Sequence, residues 1–421
     1  MTGSCIFFMS FSSLVFFSSL SFLFLSYFPT LSSSFSPTFS LPKHPPKSAT
    51  MDDDPHNHHH RLLTLLNALK QASVHLHTTT NTLSFFLFKT DQSNAAIEAL
   101  LELEPKAQAL FSTDPNLRTI SHTLSNLKTL IKNHGSSDGG TFLRRQIAAF
   151  KISKLARSLE SEIQAYVDRV TVIDLVKTLL REDAREDEKI NTLVALEERL
   201  SQGFDLGFQD LVLRAKIFQI LEQTLLLEPS KRVREQSALA IEALVKFNKN
   251  VFVGLVLMGP TVKSLLDIAS STSIRVVTSL VRFIRSPMVD EILCGGEIKR
   301  IIGFLRITSP TPWCEDDVAV CTAALECVLE IAYIGRREVV ETMLEEGLVK
   351  MLMELQRKSD DVAGFEGCVW RFSVQVEVGE GLSSEEKREV KMEILRLVKE
   401  ASVSDAEAAS VSAEILWGSS P

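Results

Sequence analysis

Cysteines, histidines and adjacent acids are the residues in this chain whose types could do chemistry, and their spacing argues against most of it. The six cysteines are Cys5, Cys294, Cys314, Cys321, Cys327 and Cys368, with no CxxC pair among them. Cys314, Cys321 and Cys327 are seven and six residues apart, which matches no common zinc-ligand pattern. In a chain this long, cysteines in helical apolar contexts read as reduced core residues of an intracellular protein. All nine histidines lie at or before His134, so the C-terminal half holds no imidazole to activate a serine or cysteine. Glu345–Glu346 and Glu385–Glu386 are neighbours in sequence and point in different directions on a helix, so neither forms an acid–base pair. No glycine-rich phosphate loop is present. His56, His58, His59 and His60 beside Asp52–Asp54 make a tract that could bind metal by composition, or a solvated tail, and the tail is the better reading. The expectation is a non-enzymatic protein with no cofactor and no metal site.

Charge narrows the partners. The chain of 421 residues carries −8, and residues 1–50 contain two lysines and no acids, so the remainder carries −10. Such an acidic body argues against nucleic-acid binding, which needs a basic footprint. Apolar content of 45% with 23% charged residues is that of a core-forming protein.

The elements that must position these residues change character along the chain. Residues 1–50 are a hydrophobic, Ser- and Phe-rich extension, and residues 5–28 form an uncharged run long enough to span a bilayer as a helix. Lys43 and Lys47 follow it, which would hold the rest of the chain in the cytosol if it inserts. Three readings stay open: a membrane anchor, a targeting segment, or a mis-assigned start, because Met51 opens a stretch resembling an ordinary soluble N-terminus. Residues 51–60 read as a disordered His/Asp tail. From 61 to 200 helical periods dominate. Leu62, Leu65, Leu66 and Leu69 form one stripe, and Ile120, Leu124, Leu127 and Leu130 another. This stretch reads as a helical leader bundle. Its Arg181–Lys189 segment reads as a solvated joint.

Beyond residue 205 a pattern recurs. Val233, Ala238, Ile241, Leu244 and Val245 lie on one face of a helix whose first turn suits Pro229. A short apolar helix closing at Gly259 follows, and similar closures come at Gly295 and Gly347, where a left-handed glycine would let the chain turn. The intervals are 36 and 52 residues, the longer one containing the polar insertion Thr308–Asp317. Near the C-terminus Ser383 or Ser384 can cap one helix. Ile415, Leu416 and Trp417 on the last helix would seal the exposed end of the core, and Trp370 reads as core.

These motifs resemble armadillo repeats, with Pro229–Glu235, Gly259, Gly295 and Gly347 carrying the match. Residues 60–421 are similar to a family of plant armadillo-repeat proteins, through EPSKRVREQ, FNKNVFVGLVLMGPTV, RSPMVDEI, LECVLEI, VEVGEGL and the terminal VSDAEAASVSAEILWGSSP. The resemblance implies an all-α fold, a leader bundle followed by a right-handed armadillo-type α-solenoid over 205–421 with a C-terminal capping helix. Relatives that join such repeats to a U-box are ubiquitin ligases; no U-box-like segment is present, so that activity does not carry over. Armadillo importins hold basic peptides on a Trp/Asn ladder, but the matching positions here are Leu239 and Ala243, then Glu326 and Glu330. The function expected is a protein-interaction scaffold in the cytoplasm or nucleus that takes a peptide or helix of a partner protein. A membrane-tethered adaptor facing the cytosol and an accessory factor in ubiquitin ligation are the alternatives. Candidate contact residues are Glu242, Lys246, Arg282, Glu326 and Glu330 on the polar sides of the long helices, and Trp313 in the insertion.

Overall fold

A computed structural model of the protein describes residues 55–81, 91–111, 117–135, 142–306, 315–358 and 364–417, and the residues from Pro55 onward form one compact unit. The described residues are all-helical, with nineteen helices and no strand. Four helices come first: α1 (Pro55–Asn81), α2 (Asp91–Phe111), α3 (Arg118–Gly135) and α4 (Phe142–Leu180). α1 packs on α2 and α4, and α3 packs on α2 and α4. Leu62, Leu65, Leu66 and Leu69 meet Ile120, Leu124 and Leu127 in one buried cluster, as the sequence stripes predict. α1 opens at Pro55, so the histidine tract lies in helix rather than in a tail ahead of it. Proline suits a first helical turn, and the packed leucines that follow carry the helix back to it.

α4 is a single helix of 39 residues serving two cores. Ile152, Ala156, Leu159 and Ile163 face the first cluster, whereas Val172 and Leu175 face a second that runs on to Ile415. The apolar side chains thus regroup inside α4, well before residue 200. α5 (Glu186–Ser201) follows, and three-helix groups then succeed one another. These are α6 (Leu206–Arg214), α7 (Ile217–Leu227) and α8 (Lys231–Phe247); α9 (Lys249–Met258), α10 (Thr261–Ile268) and α11 (Ser271–Ile284); α12 (Ser286–Cys294), α13 (Ile298–Gly303) and α14 (Glu315–Ile334); α15 (Arg337–Glu345), α16 (Leu348–Arg357) and α17 (Cys368–Val378). α18 (Ser384–Ala401) and α19 (Asp405–Trp417) end the array. The third helix of each group packs on that of the next, α5 on α8, α8 on α11, α11 on α14 and α14 on α17.

Polar bonds repeat the same step. Lys189 to Glu228 (2.8 Å), Gln236 to Glu197 (2.7 Å), Asn248 to Gln209 (2.6 Å) and Thr261 to Glu222 (2.6 Å) each join residues 39 apart. Buried thiols show a second equivalence: Cys321 donates to the Leu305 carbonyl and Cys368 to that of Leu352, each across 16 residues. Burial pushes both thiols up to about 12.

Local details differ from the sequence reading in instructive ways. Val233, Ala238, Ile241, Leu244 and Val245 are fully buried, as expected. The helix they lie on is capped by Ser230, which accepts from the Val233 amide, so Pro229 stands just ahead of the cap rather than in the first turn. Of the three closing glycines only Gly347 is left-handed (φ +79°). Gly295 is α-helical, and the left-handed position falls on its neighbour Gly296. Gly259 is extended, and a Cβ there would stand 2.2 Å from Glu222 Oε1, the atom that receives the Thr261 hydroxyl. It is a glycine for close approach, not for its dihedrals. Lys189, at the end of the supposed solvated joint, is buried against Glu228. Ser383 caps α18 in a reciprocal capping box with Glu386. Ile415 packs into the core, but Trp417 is 86% exposed and seals nothing, because α19 turns only one narrow stripe inward.

No single described helix is long and apolar enough to cross a membrane. The pair α9 and α10 passes that test together but bends by 75° between them. Residues 5–28, the expected anchor or targeting run, lie outside the described residues.

Candidate functional site

Five of the six candidate residues converge on three neighbouring helices. Glu242 and Lys246 sit on α8, Arg282 on α11, and Glu326 and Glu330 on α14. The stripe that buries Ile241, Leu244 and Val245 leaves Glu242 and Lys246 at the outer edge of α8. On α11, a Ser270–Ser273 capping box fixes the start, and Ile274, Val277, Leu280 and Val281 are buried, so Arg282 and Phe283 stay outside. The acidic first turn of α14, Glu315–Asp317, complements the positive end of its dipole. Trp313 lies outside the described residues.

The side chains bridge from helix to helix. Glu242 accepts a hydrogen bond from the Ser279 hydroxyl on α11 and pairs with the Lys246 ammonium one turn on (2.5 Å). The Lys246 ammonium stands 5.6 Å from the centre of the Phe283 ring. Arg282 donates to Glu330 at 2.8 Å. Further along, Tyr333 donates to Glu380 at 3.1 Å, and Glu380 also receives Arg285. In the other direction, Gln236 donates to Glu197 of α5. The result is a continuous polar ribbon from α5 to the turn after α17. Glu326 lies exposed on it.

Two carboxylates on this ribbon titrate differently for physical reasons. Burial, reinforced by the like charge of Glu242 and opposed by the Gln236 amide, pushes Glu197 up to about 7. Glu380 is held below the ordinary carboxylate range, chiefly by the Arg285 hydrogen bond and then by Tyr333. Sequence periodicity puts Glu242, Lys246, Arg282 and Glu330 on polar faces, and the structure leaves Lys246 and Arg282 exposed and Glu242 and Glu330 half-buried. Periodicity passes over Glu197, Ser279, Tyr333 and Glu380, whose roles come from partners 37 to 47 residues away.

A second polar feature is a cleft of about 890 Å³ walled by α1, α4 and the α5–α6 turn. Beneath it, the buried Arg199 guanidinium makes a two-pronged bond to Asp168, Nε to Oδ1 at 2.6 Å and Nη2 to Oδ2 at 2.9 Å. Nη2 also reaches Asp205 Oδ2 at 3.2 Å, and the guanidinium stacks 4.5 Å from the Phe208 ring centre. Asp205 caps α6 by accepting the Phe208 amide at 2.9 Å, and that bond, with help from Arg199, holds its carboxyl below the usual range. The spacing Asp205-x-x-Phe208 is an N-cap signal visible in sequence; the Asp168–Arg199 pair, 31 residues apart, is not.

Among the described residues, no group of three histidines, cysteines or acids stands close enough together to hold a metal ion. A scan against protein-family models finds no match to this chain, and a search of the curated proteins finds none either.

Proposed function

We propose that this protein is a non-enzymatic interaction scaffold: a right-handed armadillo-type α-solenoid that receives a peptide or helix of a partner protein along the ribbon on α8, α11 and α14. The observation that carries the reading is the ribbon's cross-helix bonding. Glu242–Ser279 and Arg282–Glu330 fix polar groups of successive third helices in one line, so they need little reordering when a ligand arrives. The helix-on-helix succession and the bonds at a constant step of 39 residues support the solenoid form, whose neighbouring units supply an extended surface. The likeness to plant armadillo proteins fits the same form.

The test is site-specific photocrosslinking in cells. A photoreactive residue at Glu326 should capture a defined protein, and the capture should fall when Lys246 and Arg282 are both replaced by glutamate. The same residue at Lys263, exposed on α10, should capture nothing in common with it. Identical capture from both positions would sink the proposal.

A further inference from the structure

We propose that the cleft between α1, α4 and the α5–α6 turn is a second docking surface, one that takes an acidic segment of a partner protein bearing an aromatic side chain. This goes beyond the ribbon and does not depend on it. The chain beyond residue 50 is acidic overall, yet five cations, Lys70, Arg157, Arg169, Arg199 and Arg214, line this cleft against four carboxylates. Each acid lining it is already engaged: Asp168 and Asp205 by Arg199, Asp210 by Arg214 at 2.9 Å, and Glu160 by His77 at 2.9 Å. Arg157 and Arg169 also line the cleft, both exposed, and neither has an ion-pair or hydrogen-bond partner among the described residues. They lie on one face of α4 with Ser161 and Ala165, at four-residue steps. Lys151 and Lys154, exposed and likewise unpaired among the described residues, continue that face toward the helix start.

Geometry sets the size of the occupant. Twelve residues of helix separate Arg157 from Arg169, roughly 18 Å, which an extended segment of about six residues spans. Phe204, 61% exposed at the cleft's other wall and resting on Phe247 at 5.5 Å between centres, offers the apolar contact. A nucleic acid fits less well, since a phosphate backbone needs an unbroken basic track and here four carboxylates interrupt it. The buried Arg199–Asp168 pair supplies a rigid floor rather than a contact.

The experiment uses the full chain and fluorescence anisotropy with three labelled probes of equal length: a Glu/Phe peptide, its Lys/Phe counterpart and a single-stranded oligonucleotide. The Glu/Phe peptide should bind saturably and lose about tenfold in affinity as salt is raised from low to physiological strength. The Arg157→Glu/Arg169→Glu double variant should lose binding by at least about tenfold, and the milder Arg157→Gln/Arg169→Gln pair by a few-fold, with circular dichroism unchanged in both. An Arg282→Glu change on the ribbon should leave the affinity unaltered, which separates this surface from the other. The proposal is overturned if no saturable binding occurs, if the Lys/Phe peptide or the oligonucleotide binds as tightly, or if the folded double variants bind like the parent.

Discussion

The junction at α4–α5 and the middle of the array at α8–α11 share one apolar core but differ in where their charges sit. At the junction a buried ion pair, Arg199–Asp168, extended to Asp205 and braced by Phe208, lies beside the apolar contacts of Val172 and Leu175 with Leu193 and Leu196. In the middle, apolar faces meet directly: Ile241, Leu244 and Val245 of α8 share one core with Val277, Leu280 and Val281 of α11, and the charges stay on the outer ribbon. A charge taken out of water must keep its partner, while an exposed one is screened and replaceable. The middle can therefore change its ribbon charges at little cost in stability. The junction cannot change its pair one residue at a time.

The largest effect should come from breaking the junction. Arg199→Ala strands Asp168 in a buried site and should cost about 4 kcal/mol in urea denaturation, whereas Arg199→Met with Asp168→Leu should recover most of it. Equal losses in the single and double variants would show that packing, not charge, holds the junction. Next comes close approach in the array. Gly259→Ala brings a methyl against the Glu222 carboxylate, the free end of a flexible side chain, so it should cost no more than the displaced Thr261 bond, about 1 kcal/mol, and little in a Glu222→Ala background.

Glu197 sharpens the contrast through pH. Its native value of about 7 lies above the unfolded 4.5, so the folded state holds the proton more tightly and the associated stability is present below about 4.5 and lost as pH rises toward about 7. Glu197→Gln should raise stability by about 1 kcal/mol near pH 8, after allowance for solvent screening, and change it little near pH 5. A variant whose thermal midpoint tracks the parent at both pH values would discard this account. The smallest effect belongs to the ribbon. Arg282→Ala removes an exposed partner of Glu330 and should move stability by no more than about 0.5 kcal/mol, while reducing crosslinking from Glu326.

What the sequence made legible follows the reach of its signals. Three- and four-residue periodicity identifies the buried face of α8 and the outward side of α11, because both depend only on helical geometry. Capping at Ser383 is equally local. The turns were harder. Positive φ falls on Lys216, Ala269 and Arg285 as well as on glycines, and none of these residue types announces it. The junction pair depends on a partner 31 residues distant, and Glu197 is buried by helix packing and bonded to Gln236 39 residues on, which no local pattern encodes. Exposed Trp417 is the converse: an apolar residue at a chain end invites a burial that the helix's inward stripe does not grant.

The matched thiols Cys321 and Cys368 have one more consequence. Each is sealed in a separate three-helix group, fully protonated at neutral pH, while Cys294 stands exposed on α12. A thiol-reactive label added to the native protein will reach Cys294 at once, and will reach the other two only when their own groups open. Reading the label by mass, residue by residue, would time the opening of adjacent groups against a built-in reference. The array thus carries its own clock for whether its units breathe together or one by one.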